Sequence, residues 1–269
     1  MNAFQSIFLG ILQGLSEFLP ISSSGHLVLA QTLMGLPSTG LLLEIMLHVG
    51  TLVAVLAVFW RDIWQMLRNP FRDHTVRMLI IATLPAVAAT LLLGDAVDRI
   101  FEGWFLGFAF LITGGLLFGV EWLVARRPGH GTRTVSSKQA LVMGILQAVA
   151  IVPGISRSGA TIAGGLASGM SRRSAARFSF LMSAIATLGS LVYKFKDFLE
   201  SGSTAFQEGL FIPMLGVIAA AVSGYAAIRW MLALIQRVSF KWFGLYVTIL
   251  GVLVLCDQLF FGVFFPPIF

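Results

Sequence analysis

The sequence predicts an all-α integral membrane protein with six transmembrane helices plus two re-entrant helical hairpins, arranged as an inverted-topology repeat. Three observations predict it. The composition suits lipid as solvent, apolar runs of spanning length recur along the chain, and two related segments broken by Pro and Gly interrupt those runs at a fixed spacing.

Of 269 residues, 57% are hydrophobic and 11% charged, with a mean hydropathy of +0.90. That is too little polar surface to clothe a water-soluble globule. Crossing roughly 30 Å of hydrocarbon takes about 20 apolar residues. Six runs qualify, at about 41 to 60, 77 to 94, 104 to 124, 175 to 194, 211 to 234 and 240 to 265. The formal charge of +6 forms no continuous basic face for nucleic acid, because the basic residues fall in loops between the runs, where they set orientation. No Lys or Arg precedes Arg61, so the first apolar stretch lacks the basic region of a cleaved signal and is expected in the mature protein. Cys256 is the sole cysteine. It excludes an intramolecular disulfide and a multi-cysteine metal site, and it reads as a small buried apolar residue.

Charge places the loops. Arg61, Arg68, Arg72 and Arg77 follow the first run; Arg126, Arg127, Arg133 and Lys138 follow the third; Arg172, Arg173 and Arg177 precede or open the fourth; Arg237 and Lys241 separate the fifth and sixth. These sit on the cytoplasmic side. Asp95, Asp98 and Glu102 offset Arg99 after the second run, and Asp197, Glu200 and Glu208 offset Lys194 and Lys196 after the fourth. Those loops lie outside, as do both termini.

The stretches before runs one and four are too apolar for loops. The first reads GILQGLSEFLPISSSGH from Gly10 and the second GILQAVAIVPGISRSGA from Gly144; at an offset of 134 they share 8 of 17 positions. The chain is therefore a single membrane domain with one repeat over 1–125 and another over 138–269. Three crossings separate the copies, so the second is inserted upside down. Each copy carries a helix that stops before Pro20 or Pro153, since proline donates no N–H and biases its predecessor out of the helical region. A returning helix starts near Ser24 or Ser158. Half-helices of about 10 to 14 residues are too short to span and form re-entrant hairpins whose tips meet near the midplane.

The first tip offers Ser22, Ser23, Ser24, Gly25 and His26; the second offers Gly154, Ser156, Arg157, Ser158, Gly159 and Thr161. At a helix N-terminus, free N–H groups and the dipole favour an anion, Gly allows close approach, and Ser caps or donates. Arg157, whose insertion costs about 3 kcal/mol even on the translocon scale, suits phosphate through its planar fork. Capping alone accounts for either tip in isolation; the Arg shifts the balance to anion binding. Gln13 and Glu17 share a helix face. Glu17 lies where the dipole disfavours a carboxylate and needs a positive partner, with His26, Arg157 and a divalent cation as candidates. Ser23 and His26, spaced i, i+3, suit a nucleophile and base, with Glu17 available to orient the imidazole. Elsewhere, Glu44 and His48 form an i, i+4 polar pair, Glu121 is expected at the interface, and His74 and His130 are expected to be solvated.

At these residues the chain closely resembles the bacterial undecaprenyl-diphosphatase, or bacitracin-resistance protein, family, whose [E/Q]xxxE and PGxSRSxxT motifs appear as Gln13-Gly-Leu-Ser-Glu17 and Pro153-Gly-Ile-Ser-Arg157-Ser-Gly-Ala-Thr161. The resemblance implies removal of the terminal phosphate from undecaprenyl diphosphate, to recycle the carrier of cell-wall precursors. The expected location is the bacterial inner membrane, with the site opening to the periplasm because the tip bearing Ser23 and His26 belongs to the hairpin that enters from the outer face. The resemblance implies Glu17, Ser23, His26 and Arg157 as catalytic residues. Gln13, Ser22, Ser24, Gly25, Gly154, Ser156, Ser158 and Thr161 fall to substrate binding. It also implies a divalent cation, Mg or Ca, with Glu17 a candidate ligand, although Gln13 takes the uncharged form of its position and the sequence holds no three-carboxylate cluster. The partners are the polyprenyl diphosphate and membrane lipids, and homodimer formation stays open. The alternative is a polyprenyl-phosphate transporter, since inverted repeats with broken helices are a recurrent carrier design; a carrier needs no nucleophile. A membrane scaffold leaves an intramembrane Arg and Glu without a purpose.

Overall fold

A computed structural model describes residues 1–36, 41–100, 104–126, 131–200 and 210–265, with the backbone alone at 41, 95–100 and 193–200. The helices, in chain order, are α1 (Ala3–Phe18), α2 (Ser23–Leu33), α3 (Leu41–Val58), α4 (Trp60–Arg68), α5 (His74–Ile100), α6 (Leu106–Ala125), α7 (Ser137–Val149), α8 (Arg157–Ala167), α9 (Arg172–Glu200), α10 (Phe211–Leu234) and α11 (Lys241–Cys256), the last running into a π-helical turn at Asp257–Phe261. The only β pairing among the described residues is an isolated bridge between Thr132 and Met170. Five helices are long and apolar enough to cross a membrane, or six if α3 and α4, bent by 79°, count as one span.

The loop residues Glu102, Arg127, His130 and Glu208, and the charged side chains of 95–100 and 193–200, lie outside the described residues. His74 is exposed, as expected, and Cys256 is half-buried rather than buried.

Both segments are broken near their prolines. α1 ends at Phe18, before Pro20, and α7 ends at Val149, before Pro153. The returning helices begin one residue earlier than expected, at Ser23 and Arg157, because the caps are Ser22, which accepts from Gly25 N–H at 3.3 Å, and Ser156, which accepts from Gly159 N–H at 3.0 Å. Ala3 to Ser137 and Ser23 to Arg157 repeat the same step of 134 residues.

Each broken pair is seated against the other half of the chain. α1 packs on α10, and α7 packs on α5. Both contacts need a glycine: a Cβ at Gly10 would collide with the Gly216 carbonyl, and one at Gly144 with the Ala82 carbonyl. Such close backbone approach is how helices associate where lipid supplies no hydrophobic drive. Beneath the tips, Phe18 meets Phe180 edge-to-face at 5.6 Å within the main buried cluster. On the outside, Leu91, Leu92 and Phe211 are fully presented to the surroundings, as lipid solvation permits.

Glu121, expected at the interface near the end of α6, is buried within the protein: its carboxylate pairs with Arg172 at 2.7 Å and accepts the Phe240 N–H at 3.2 Å, tying α6 to the starts of α9 and α11. A buried carboxylate persists only when it is paired in this way.

Candidate active site

The two tips touch. Gly154 N–H donates to Ser24 Oγ at 3.3 Å, and Ser158 Oγ donates to the Leu19 carbonyl at 2.8 Å. The second tip is held from behind by α6, where Thr113 Oγ1 accepts the Ser156 N–H at 3.0 Å. Two backbone positions are special: Gly154 sits at φ +85° and Ser22 at φ +73°. A non-glycine residue in that region is strained, a cost that concentrates at functional turns.

Three of the four expected catalytic side chains meet at this junction. Glu17 forms an ion pair with Arg157, and their side chains are 5% and 22% exposed. Ser23 Oγ donates to the second carboxylate oxygen of Glu17 at 2.5 Å, and Gln13 Nε2 donates to the same oxygen at 3.0 Å. Arg157 also donates to the Ser183 carbonyl at 3.2 Å. The partner that Glu17 requires is therefore Arg157, contributed by the opposite half of the chain.

His26 departs from expectation. Glu17 does not orient its ring, and the ring is not bonded to Ser23. Its Nδ1 meets the Ser22 carbonyl at 2.7 Å and its Nε2 meets the Tyr246 hydroxyl at 2.8 Å. A carbonyl only accepts, so Nδ1 carries the proton and Nε2 of the neutral ring accepts from Tyr246. The two rings stack at 5.6 Å and 23°. In a returning helix, i to i+3 spacing puts residues on one face, but Ser23 at the first position reaches back across the tip to α1 while His26 turns to α11.

Most of the remaining expected residues serve as the frame. Thr161 Oγ1 donates to the Arg157 carbonyl at 2.8 Å and shares a hydrogen bond with Ser179 at 2.6 Å, fixing the turn that carries the guanidinium. Ser22 and Ser156 are consumed as caps, and Gly25 is buried beside Ser22. His48 is bonded through Nδ1 to the Glu44 backbone carbonyl at 2.8 Å and lies close enough to Glu17 to interact with it electrostatically.

Tyr246 was invisible to motif reasoning: it stands 220 residues from His26 in an ordinary apolar span. A tyrosine among lipid-facing residues, whose hydroxyl needs a partner when buried, was the one available signal.

Among the described residues no three His, Cys, Asp or Glu side chains gather to hold a metal. Glu17 already accepts from three donors, whereas Gln13 Oε1 is buried with no hydrogen-bond partner. Gln13 Oε1 is thus the open protein oxygen that would face a cation, and magnesium is commonly held by one or two protein oxygens plus substrate phosphates.

The profile of the family described as bacitracin resistance protein BacA matches residues 6–253. An undecaprenyl-diphosphatase of Carboxydothermus hydrogenoformans is 42% identical over 262 residues, covering 96% of this chain and 98% of its own length. Undecaprenyl-diphosphatase 4 of Bacillus thuringiensis subsp. konkukian is 40% identical with the same coverage. An undecaprenyl-diphosphatase of Methanosphaera stadtmanae is 37% identical, covering 94% of this chain and 97% of its own length.

Proposed function

The chain belongs to the bacitracin resistance protein BacA family, and we propose that it is an undecaprenyl-diphosphate phosphatase, releasing inorganic phosphate and undecaprenyl phosphate. The observation that carries this reading is the meeting of Ser23, Glu17 and Arg157 where two helix N-termini converge. A hydroxyl held on a carboxylate beside a guanidinium has no use in a carrier and an immediate use in phosphoryl transfer. Phosphate release from undecaprenyl diphosphate by the purified protein in detergent is the direct test, and its absence would sink the assignment.

The terminal phosphoryl group enters at the two N-termini, where the N–H groups and Arg157 bind its oxygens. Arg157 exchanges Glu17 for the phosphate, and the carboxylate is then free to take the Ser23 proton. Ser23 Oγ bonds to the terminal phosphorus as the bond to the bridging oxygen breaks, and undecaprenyl phosphate leaves. Water then attacks the phosphoserine, Ser23 regains its proton, and inorganic phosphate departs. His26, one turn along α2 from Ser23, would take the proton of the attacking water through Nε2, which in the resting arrangement accepts from the Tyr246 hydroxyl. A divalent cation would be held through Gln13 Oε1, the unpartnered oxygen of the site, and would supply charge neutralisation on the diphosphate.

Tyr246→Phe removes one hydrogen bond to the imidazole while keeping the stack. Such a bond is worth about 1 kcal/mol, so kcat/KM is expected to fall roughly fivefold while a thermal melt shows the protein still folded. An unaltered kcat/KM would take Tyr246 out of the site.

In this reading the chain spans the bacterial inner membrane six times, its two broken pairs are re-entrant hairpins of opposite insertion, and the site opens to the periplasm. The shared 134-residue step and the reciprocal seating of α1 and α7 support the inverted repeat. Orientation is tested in a Cys256→Ala background with single cysteines at two exposed positions, Val263 after α11 and Arg72 after α4. An impermeant maleimide added outside intact spheroplasts should label Val263→Cys and spare Arg72→Cys. The reverse pattern would invert the topology.

A further inference from the structure

At the far end of α8, 11 residues and therefore roughly 16 Å from Arg157 at 1.5 Å per residue, lies a cavity of about 970 Å³ that the reaction at the tips does not use. Arg133, Arg172, Arg173, Arg177 and His74 line it, and among the described residues no Asp or Glu does. Two of the guanidiniums are held by carboxylates outside the lining, Arg172 by Glu121 at 2.7 Å and Arg177 by Asp62 at 2.5 Å. Arg133 and Arg173 are exposed and have no ion pair among the described residues. The start of α9, at Arg172, also opens onto this space, adding the positive end of a helix dipole, whereas at the start of α5 the Asp73 carboxylate accepts the Thr75 and Val76 N–H groups. Behind the charges the wall is apolar, with Met78, Phe178 and Leu181.

The depth of the cavity is fixed by α4, whose Asp62 anchors Arg177. Trp60, Trp64, Leu67 and Phe71 are exposed at spacings of four, three and four residues, so one apolar stripe faces outward. Arg61 and Arg68 lie over the rings of Trp60 and Trp64 at 5.3 and 5.4 Å. A helix bent by 79° from its neighbour, with an aromatic stripe below and arginines above, is one that lies in a membrane interface. The cavity therefore sits at the level of lipid headgroups.

We propose that this cavity is a second lipid site, which binds the phosphomonoester headgroup of an amphiphile between Arg133 and Arg173 and lays the start of its tail against the Met78, Phe178 and Leu181 wall. Two unpaired guanidiniums match a dianionic phosphate, and the apolar wall selects a lipid over free phosphate. The inference does not depend on the reaction assigned to the tips.

The test is binding of dioleoyl phosphatidic acid to the purified protein in neutral detergent, followed by native mass spectrometry, with dioleoyl phosphatidylcholine as control and inorganic phosphate as competitor. Wild type and Arg157→Gln should both bind phosphatidic acid in preference to phosphatidylcholine. The Arg133→Gln/Arg173→Gln variant should lose at least tenfold in affinity, with phosphate release from undecaprenyl diphosphate unchanged. The single variants, each removing one exposed and unpaired side chain, should show partial losses and serve as controls for folding. Undiminished binding in the double variant, loss of all binding in Arg157→Gln, equal binding of phosphatidylcholine, or displacement by equimolar inorganic phosphate would each overturn the proposal.

Discussion

Arg157→Lys is expected to lower kcat by about 10²- to 10³-fold, the usual cost of removing one preorganised donor from a developing anion, while the protein still folds. The guanidinium reaches Glu17 with one nitrogen and the Ser183 carbonyl with another. An ammonium keeps the charge but has no planar fork with which to hold that position and offer parallel donors to phosphate. Phosphate release at saturating substrate, compared with a thermal melt of the same preparation, reads the two effects separately. Turnover near that of wild type would reduce Arg157 to a counter-charge for Glu17 and leave the transition state to the helix N-termini.

Ser23→Ala should cost about 10³-fold or more in kcat, because it deletes the nucleophile outright. The more telling variant is the double one. If Glu17 acts by taking the Ser23 proton, Glu17→Gln/Ser23→Ala should be no slower than Ser23→Ala alone, since groups that act as a unit are strongly non-additive. A further loss on adding Glu17→Gln would give the carboxylate work beyond Ser23, such as holding a cation or activating water directly. Stereochemistry supplies an independent reading. Passage through phosphoserine involves two in-line displacements and retains configuration at a chiral terminal thiophosphate, and inversion would remove the covalent intermediate.

Much of this arrangement was legible in the sequence because the duplication displayed it. Ser22 and Ser156, both helix caps, occupy equivalent positions, and Ser23 and Arg157, the first residues of α2 and α8, occupy the next pair. The starts of the two returning helices were located to within a residue, whereas α1, at 16 residues, is longer than a half-helix of about 10 to 14. The identity of each partner was not legible. Glu17 had three candidate partners at equal standing in the sequence, and only the packing of one half on the other selects Arg157. The Ser23 to His26 spacing suggested a pair, but the tip turns Ser23 toward α1 and leaves His26 to Tyr246, a contact no local rule anticipates. The second half also shows how the repeat lost its symmetry. Gln147, the counterpart of Gln13, is buried with its amide unpartnered, because the position equivalent to Glu17 is Ile151.

The reciprocal seating of α1 on α10 and α7 on α5 has a consequence for how the protein is made. The broken pair α1 and α2 is among the first segments to leave the ribosome, yet its glycine-lined seat on α10 is synthesised roughly 190 residues later. At about 5 to 20 residues per second, that delay is on the order of 10 to 40 s, during which the N-terminal pair exists beside the bilayer without the surface it was shaped for. The later pair, α7 and α8, meets α5 already in place. The second broken pair can therefore be seated before the first, whose seat on α10 arrives only with the last third of the chain.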